Sequence, residues 1–291
     1  MLFSFMVTVR EGFEIALIIA IVLGYLVRTG NRRHFGAVWG GVALATAVTA
    51  AATLVLVLGL QEASTSAKEA FEGITMLVAV GVLTWMVIWM KRQAASLGND
   101  LRSRVDVALE RGSLWALIGL VFSAVIREGI ETSLFLVAGA GAAGTGSGMR
   151  FALGGVLGFG VAAILGYGVY RGSHLLPVRQ FFTVTGLLVI VLAAGLLSNG
   201  LRELQDSTLI PVLGGRPWDT DALLAMGSPT GGLLHTLLGY DSAPSWGQIV
   251  GYWTYLLGGA AGFVLVRSTP AQIRVAPGAL AAGSHSRTQA E

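Results

Sequence analysis

Residues 10–19 read REGFEIALII, and the pattern Arg-Glu-Gly-x-Glu returns at residues 127–131 as REGIE. Each copy lies well inside an apolar stretch of the length that crosses a bilayer, about 20 residues for about 30 Å of hydrocarbon. A charge near the centre of such a stretch costs about 2.5–3.5 kcal/mol even on a lenient scale. Six charges in two stretches therefore indicate membrane helices that enclose a polar or ion-binding site.

The composition around these motifs argues against a soluble domain. Hydrophobic residues make up 54% of the chain and charged residues only 12%, with a mean hydropathy of +0.72, whereas soluble domains carry about a quarter charged residues. The chain has no cysteine, which removes disulfides and thiolate metal sites and disfavours soft ions such as Cu(I). The net charge of +3 comes from basic residues between apolar stretches, so we predict no nucleic-acid partner.

Seven apolar stretches are long enough to span a membrane. Open strands cannot cross lipid, and uninterrupted apolar runs do not fit an alternating barrel. We therefore predict an all-α polytopic membrane protein with seven transmembrane helices. The predicted spans are residues 2–27, 36–60, 71–90, 114–138, 151–170, 181–201 and 249–266.

The basic residues predict the orientation of these spans. Most Lys and Arg residues fall in one set of loops, and the alternate loops contain only Lys68, Arg150, Arg202 and Arg216. Because basic loops stay in the cytoplasm, the N-terminus is predicted outside and the C-terminus inside. Two three-helix repeats of opposite orientation follow, over residues 2–90 and 114–201.

An outer loop completes the predicted permease domain, residues 1–267, and a tail follows this domain. An outer loop over residues 202–247 joins the second repeat to the seventh helix. Residues 268–291 are rich in Ala, Gly, Ser and Pro, and we predict a disordered cytoplasmic tail. Residues 139–144 match the dinucleotide pattern G-x-G-x-x-G, but no strand precedes them, so we interpret them as a flexible loop. The G-x-x-x-G pairs at residues 36/40, 154/158 and 258/262 indicate close helix packing.

Within each motif, helix geometry places the two glutamates on one face of the helix. The two glutamates of each motif lie one turn apart, and each arginine lies four residues before the second glutamate. A plain ion pair between Arg and Glu would leave one carboxylate of each motif unexplained. We therefore assign Glu11, Glu14, Glu128 and Glu131 as ion-handling residues and Arg10 and Arg127 as residues that tune their charge.

Four carboxylates favour a hard cation. Oxygen ligands suit Mg, Ca, Mn and ferric iron. Di-metal redox bundles commonly use Glu-x-x-His, which does not occur here, and none of the four histidines lies in a predicted membrane core: His34, His174, His235 and His285. This favours transport, with no enzymatic activity. A carrier of another hard divalent ion such as Mn²⁺ remains an alternative, and a membrane di-metal enzyme is a weaker one.

The duplicated motif resembles that of the high-affinity iron permease family, which includes fungal permeases coupled to an oxidase and bacterial permeases of Efe-type iron uptake. The resemblance covers nearly the whole chain, with further matches in FEG at residues 71–73, LTWM at 83–86, WM at 89–90, GLRELQ at 200–205, PWDT at 217–220 and GYD at 239–241. It implies inward transport of iron by the four glutamates across a bacterial inner (cytoplasmic) membrane.

The resemblance also implies how iron arrives. The family usually receives ferric iron from an extracytoplasmic iron-binding or iron-oxidising protein, and iron is then the transported substrate, with no prosthetic group. The acidic Asp-Ala-Ser-Glu motif of the fungal outer loop does not occur in this sequence. Glu72, Glu203 and Asp206 are candidates for an outer site at which the ion enters.

Overall fold

The computed structural model describes residues 1–61, 64–93, 97–110, 114–143, 148–172, 178–211, 215–226 and 228–265. Within these ranges the chain forms nine α-helices, a 3₁₀ turn at Arg32–His34 and no strand, which confirms the all-α prediction. The helices are α1 (Leu2–Arg28), α2 (Phe35–Gln61), α3 (Thr65–Gln93), α4 (Leu97–Glu110), α5 (Leu114–Ala143), α6 (Gly148–Tyr170), α7 (Val178–Asp206), α8 (Pro229–Leu238) and α9 (Trp246–Leu265).

Four helical segments are long and apolar enough to cross a membrane: Arg32–Leu58, Thr65–Lys91, Gly148–Tyr170 and Gln180–Asp206. The chain is therefore a multi-pass membrane protein. Helices α1 and α5 have 27 and 30 residues, but each carries the three charges of its Arg-Glu-Gly-x-Glu motif. Helix α9 has 20 residues and no charge.

Apart from residue 266, which lies outside the described residues, each of the seven predicted spans lies in a separate helix, and each helix extends beyond its span at one end or both. Helix α3 begins six residues before the predicted span, where the Ala67 amide donates to Ser64 Oγ at 3.3 Å. Residues 139–143 are the last turn of α5, so the loop prediction was wrong there. A side chain at Gly139 would overlap the Phe3 ring, so the glycine serves close packing in this helix.

Helix packing follows a reciprocal pattern. Helix α1 packs mainly on α6, α5 on α2, and α3 on α7, while α1 and α5 also touch each other. A Cβ at Gly154 or Gly158 would overlap α1, which confirms close packing for this pair. The other two G-x-x-x-G pairs, Gly36/Gly40 and Gly258/Gly262, have open space beside their Cα atoms. The close helix packing predicted for these two pairs is therefore not found among the described residues.

The predicted outer loop contains a short helix that folds back onto α7. Helix α8 is capped at its N-terminus by Ser228, whose Oγ accepts from the Gly231 amide at 2.9 Å, and at its C-terminus by Gly239 with φ +67°. The Gly239 backbone lies against Gly195, about 16 Å along α7 from its end at Asp206. Non-helical backbone at this depth is tolerated because protein surrounds it.

The predicted basic loop before the second repeat contains helix α4. Its Leu101, Val105 and Ala108 are buried against α1 and α5, and the Tyr25 hydroxyl donates to Asp106 at 2.5 Å. Several predictions lie outside the described residues, namely those on Gly144, His174, His285, residue 266 and the tail 268–291.

Candidate cation site

Three motif carboxylates meet where α1 and α5 touch. Glu11, Glu128 and Glu131 are buried, and each places a carboxylate oxygen within 4.8 Å of the other two. A hard cation with metal–oxygen distances of about 2.0–2.6 Å holds oxygens up to about 5 Å apart. In the part of the chain that the structure describes, this is the one such group of three acidic or histidine side chains.

The fourth predicted residue, Glu14, lies beside this trio. It is buried and pairs with Arg10 Nη2 at 3.4 Å. Its charge acts on Glu128 and on Glu131. The four glutamates are thus one electrostatic unit, of which three converge on a common point.

Each motif arginine contacts both glutamates of its own motif. Arg10 contacts Glu11 Oε1 through Nη1 at 2.7 Å in addition to Glu14. Arg127 donates from Nε to Glu131 Oε1 at 3.0 Å and lies 3.8 Å from Glu128 Oε1. The side chain of Arg10 is only 2% exposed, whereas that of Arg127 is 36% exposed.

The site retains carboxylate oxygens that no hydrogen bond satisfies. One buried oxygen of each trio member has no partner, namely Oε2 of Glu11, Glu128 and Glu131. Buried charges are costly unless they are paired and hydrogen-bonded. If all six motif side chains are ionised, four acids and two bases leave a formal charge of −2. The arrangement is therefore suited to a positive ion that accepts several oxygen ligands.

The motif glycines allow the helices to approach closely. A Cβ at Gly12 would come within 2.9 Å of Phe159 and Ala162 of α6, and one at Gly129 within 2.6 Å of Thr49 of α2. Both α1 and α5 remain continuous helices through their motifs. At these glycines the structure therefore shows close approach of neighbouring helices and no unwinding.

The three outer candidates form a second, separate acidic group. Glu72 on α3 and Glu203 on α7 are close enough for their charges to interact, and Asp206 and Glu69 act on Glu203 as well. Asp206 also pairs with Arg202 at 3.5 Å. The two helices cross where the Gly73 and Gly200 backbones touch.

Sequence reasoning missed two sets of contacts. The Asp241 side chain, which is 7% exposed, accepts from Arg202 Nη1 at 3.1 Å and from Gln248 Nε2 at 3.3 Å, which joins α7, the outer segment and α9. Helix α3 contacts both motif arginines through Met86 and Trp89. The only signal for either set was the presence of these residues in the segments that carry the family resemblance.

A large cavity lies beside the motif helices and not at the carboxylates. It has a volume of about 890 Å³ and lies between α1, α2, α5 and α6. Its lining is mainly apolar and includes Gly12 and Gly129, but none of the four motif glutamates. The chemistry of the trio therefore locates the candidate site better than cavity size does.

Comparison with known proteins gives one consistent result. The family model described as "Iron permease FTR1 family" matches residues 1–274. The chain is 36% identical over 267 residues to "Ferrous iron permease EfeU" of Escherichia coli O6:H1, covering 91% of this chain and 96% of the relative. A protein of the same name from Yersinia pestis is 34% identical over 259 residues, covering 88% and 91%. No solved structure matches.

Proposed function

The chain belongs to the FTR1 iron permease family, and from this premise we propose that it carries iron across a membrane through the cluster of Glu11, Glu128 and Glu131. The observation that supports this best is the convergence of three buried carboxylates, each with an unpartnered oxygen, from two separate helices. Glu14 adjusts the charge of the cluster from its pair with Arg10. No step of this function needs a prosthetic group or an enzymatic reaction.

Ferrous iron fits the cluster better than ferric iron. With all six motif side chains ionised, their formal charges sum to −2, which a divalent ion balances, whereas a trivalent ion would leave excess positive charge in a low-dielectric interior. The relatives are named ferrous iron permeases. We therefore propose Fe²⁺ as the transported ion, and ferric iron, implied by the family resemblance, becomes the alternative. Mn²⁺ has the same charge and similar ligand preferences, so it is the competitor to test.

We further propose seven transmembrane helices, α1, α2, α3, α5, α6, α7 and α9, arranged as two inverted repeats plus a last helix. Exchanging α1–α3 with α5–α7 maps the contact between α1 and α6 onto that between α5 and α2. The contacts of the two motif glycines follow the same exchange. Gly12 on α1 lies against α6, and Gly129 on α5 lies against α2, so each contacts the second helix of the other repeat. Inverted repeats commonly place their substrate site where corresponding helices meet.

We propose that the chain has the predicted orientation in the membrane and that transport runs inward. With the N-terminus outside and the C-terminus in the cytoplasm of a bacterial inner membrane, Glu72, Glu203 and Asp206 lie at the outer ends of α3 and α7. We propose that they attract the ion there, after delivery by an extracytoplasmic iron-binding or iron-oxidising protein. The ion then moves inward to the trio.

Uptake into proteoliposomes tests the proposed function. The purified protein should take up radioactive iron supplied as Fe²⁺ with a reductant, and faster than iron supplied as Fe³⁺ citrate. Unlabelled Mn²⁺ in equal amount should reduce the rate only slightly. Glu131→Gln should abolish uptake, while Glu110→Gln, an exposed acid on α4, should not change it. Equal uptake by the parent protein and Glu131→Gln would show that iron does not pass through the trio.

A further inference from the structure

One short segment of α3 contacts both motif arginines. The Sδ atom of Met86 accepts from Arg10 Nη1 at 3.4 Å. On the other side, Arg127 Cζ lies 4.5 Å from the ring centroid of Trp89 and 5.7 Å from that of Trp85. The two indole rings stack on each other, with centroids 6.0 Å apart and planes inclined by 22°. This segment is part of LTWM and WM, residues 83–90, to which ion binding by the carboxylates assigns no role.

The two arginines differ in their freedom to move. Arg10 is 2% exposed and pairs with both Glu11 and Glu14. Arg127 is 36% exposed and has two kinds of neighbour, the Glu131 carboxylate on one side and the tryptophan rings on the other. Arg127 thus contacts both neighbours at once and can leave the carboxylate while it keeps the rings, whereas Arg10 is enclosed with its two carboxylates.

Binding of a cation changes the electrostatics around Arg127 directly. Its Nε atom lies 3.0 Å from a carboxylate of the trio, so an ion held by Glu131 repels the guanidinium at short range. A charge displaced into the apolar interior needs another partner. The face of an aromatic ring attracts a cation within about 6 Å of its centroid, and tryptophan does so best.

We propose that Trp85 and Trp89 form an aromatic clamp that holds the Arg127 guanidinium when a cation occupies the trio, so that Arg127 is the arginine that moves during transport. This inference rests on the proposed function of the trio. With Arg127 on the clamp, Glu131 is free to bind the ion. When the ion leaves, Arg127 returns to Glu131 and neutralises it. Trp85 and Trp89 are therefore positioning residues that act through Arg127.

A double-mutant cycle on metal binding tests the clamp. Dissociation constants for Fe²⁺ are measured anaerobically by calorimetry on the purified full-length protein. Trp89→Leu fills space but has no ring face, and should weaken binding by about two- to thirtyfold, the range that cation–π contacts are worth. Trp89→Phe should recover part of the loss. In the Arg127→Ala background, Trp89→Leu should change the dissociation constant by less than about twofold, because the clamp has nothing to hold.

Matched measurements separate the clamp from other causes. Trp115→Ala, on the same helix as Arg127 and 79% exposed, should bind Fe²⁺ like the parent. If Trp89→Leu weakens binding equally with and without Arg127, or has no effect, the clamp is refuted while the trio stands. If the parent binds no Fe²⁺, the proposed function fails instead. In that case the thermal midpoints of the metal-free parent, Trp89→Leu, Arg127→Ala and the double variant still test the contact between Arg127 and Trp89. Additive effects of the two substitutions on the midpoint would disprove this contact.

Discussion

At the scale of single residues, the four motif glutamates are unequal because the arginines engage them unequally. Glu11 accepts from Arg10 at 2.7 Å and Glu131 from Arg127 at 3.0 Å. The nearest contact of Glu128 with its own arginine is 3.8 Å. Glu128 is therefore the trio member whose negative charge is least neutralised before the ion arrives, and Glu14 contributes from outside the trio.

This inequality predicts graded effects of neutral substitution. Glu128→Gln should lower the rate of Fe²⁺ uptake by at least about thirtyfold, since loss of one partner of a buried charge pair weakens binding by about 2–5 kcal/mol. Glu14→Gln should lower it by a smaller factor, because Glu14 is not a member of the converging trio. Initial rates in proteoliposomes, normalised to inserted protein, measure both. A larger loss in Glu14→Gln than in Glu128→Gln would reverse the assigned roles.

At the scale of elements, apolar runs predicted the spans but not their ends or the short helices. Helix α3 starts in the polar sequence TSAKE at residues 65–69, which no hydrophobicity criterion includes. Helix α4 carries charges on its exposed face, so its sequence predicts a basic loop. The last turn of α5 contains glycines that look like breakers, yet Gly139 packs on Phe3. These three features depend on tertiary contacts, which a single sequence does not display.

For the candidate site, the sequence predicted the residues but not their arrangement in space. Charges inside apolar spans identified the glutamates, because membrane insertion makes such charges costly. Which three of them converge depends on how α1 and α5 cross and on the arginine contacts. The contacts of Met86 and Trp89 with the arginines also depend on the approach of α3, and no spacing within the sequence specifies that approach.

Close packing between α1 and α6 gives an element-scale prediction. Gly158→Leu should destabilise the protein by about 1–3 kcal/mol or more, because a Cβ there overlaps Thr8 and lies 3.0 Å from the Val9 amide nitrogen. Gly40→Leu is the matched control, since Gly40 faces open space. Thermal midpoints in detergent should fall for the first variant only. Equal midpoints for both variants would contradict the described contact.

The outer segment should loosen in acid because of His235. Its Nδ1 atom lies 2.7 Å from the Tyr240 carbonyl oxygen, and burial lowers the pKa of the imidazole below its ordinary value. The unfolded segment then binds more protons than the folded one below about pH 6.5. The stabilisation is therefore present above that pH and is lost as the pH falls toward the folded pKa.

Exchange of amide hydrogens measures this loosening. In the parent, exchange in α8 should accelerate between pH 7.5 and pH 5.5 after correction for the intrinsic rate. His235→Asn keeps a side-chain donor for the Tyr240 carbonyl but does not titrate, so its corrected exchange should not change over this interval. The same acceleration in both proteins would assign the acid sensitivity to another group.

At the scale of the whole molecule, two separate helices, one from each proposed repeat, come together in one site. The trio takes Glu11 from α1 and Glu128 and Glu131 from α5, so neither helix supplies the whole trio. The reciprocal packing of α1 on α6 and α5 on α2 ties each motif helix to the other repeat. A relative movement of the repeats would therefore change the geometry of the site directly.

Paired cysteines test whether one chain forms the shared site. The sequence contains no cysteine, so Glu11→Cys/Glu128→Cys introduces the only two thiols. This pair should bind Cd²⁺ jointly, with much higher affinity than either single variant, and should accept a short bifunctional thiol reagent. A direct disulfide is a stricter test because it needs Cα atoms within about 7 Å. Glu11→Cys/Glu110→Cys is the control, since Glu110 lies at the end of α4, and it should show neither effect.

Co-expression of the two single variants separates a site within one chain from a site across a dimer. Crosslinking only between the two single-variant chains would place the motifs at an interface, and the trio would then be an intermolecular site.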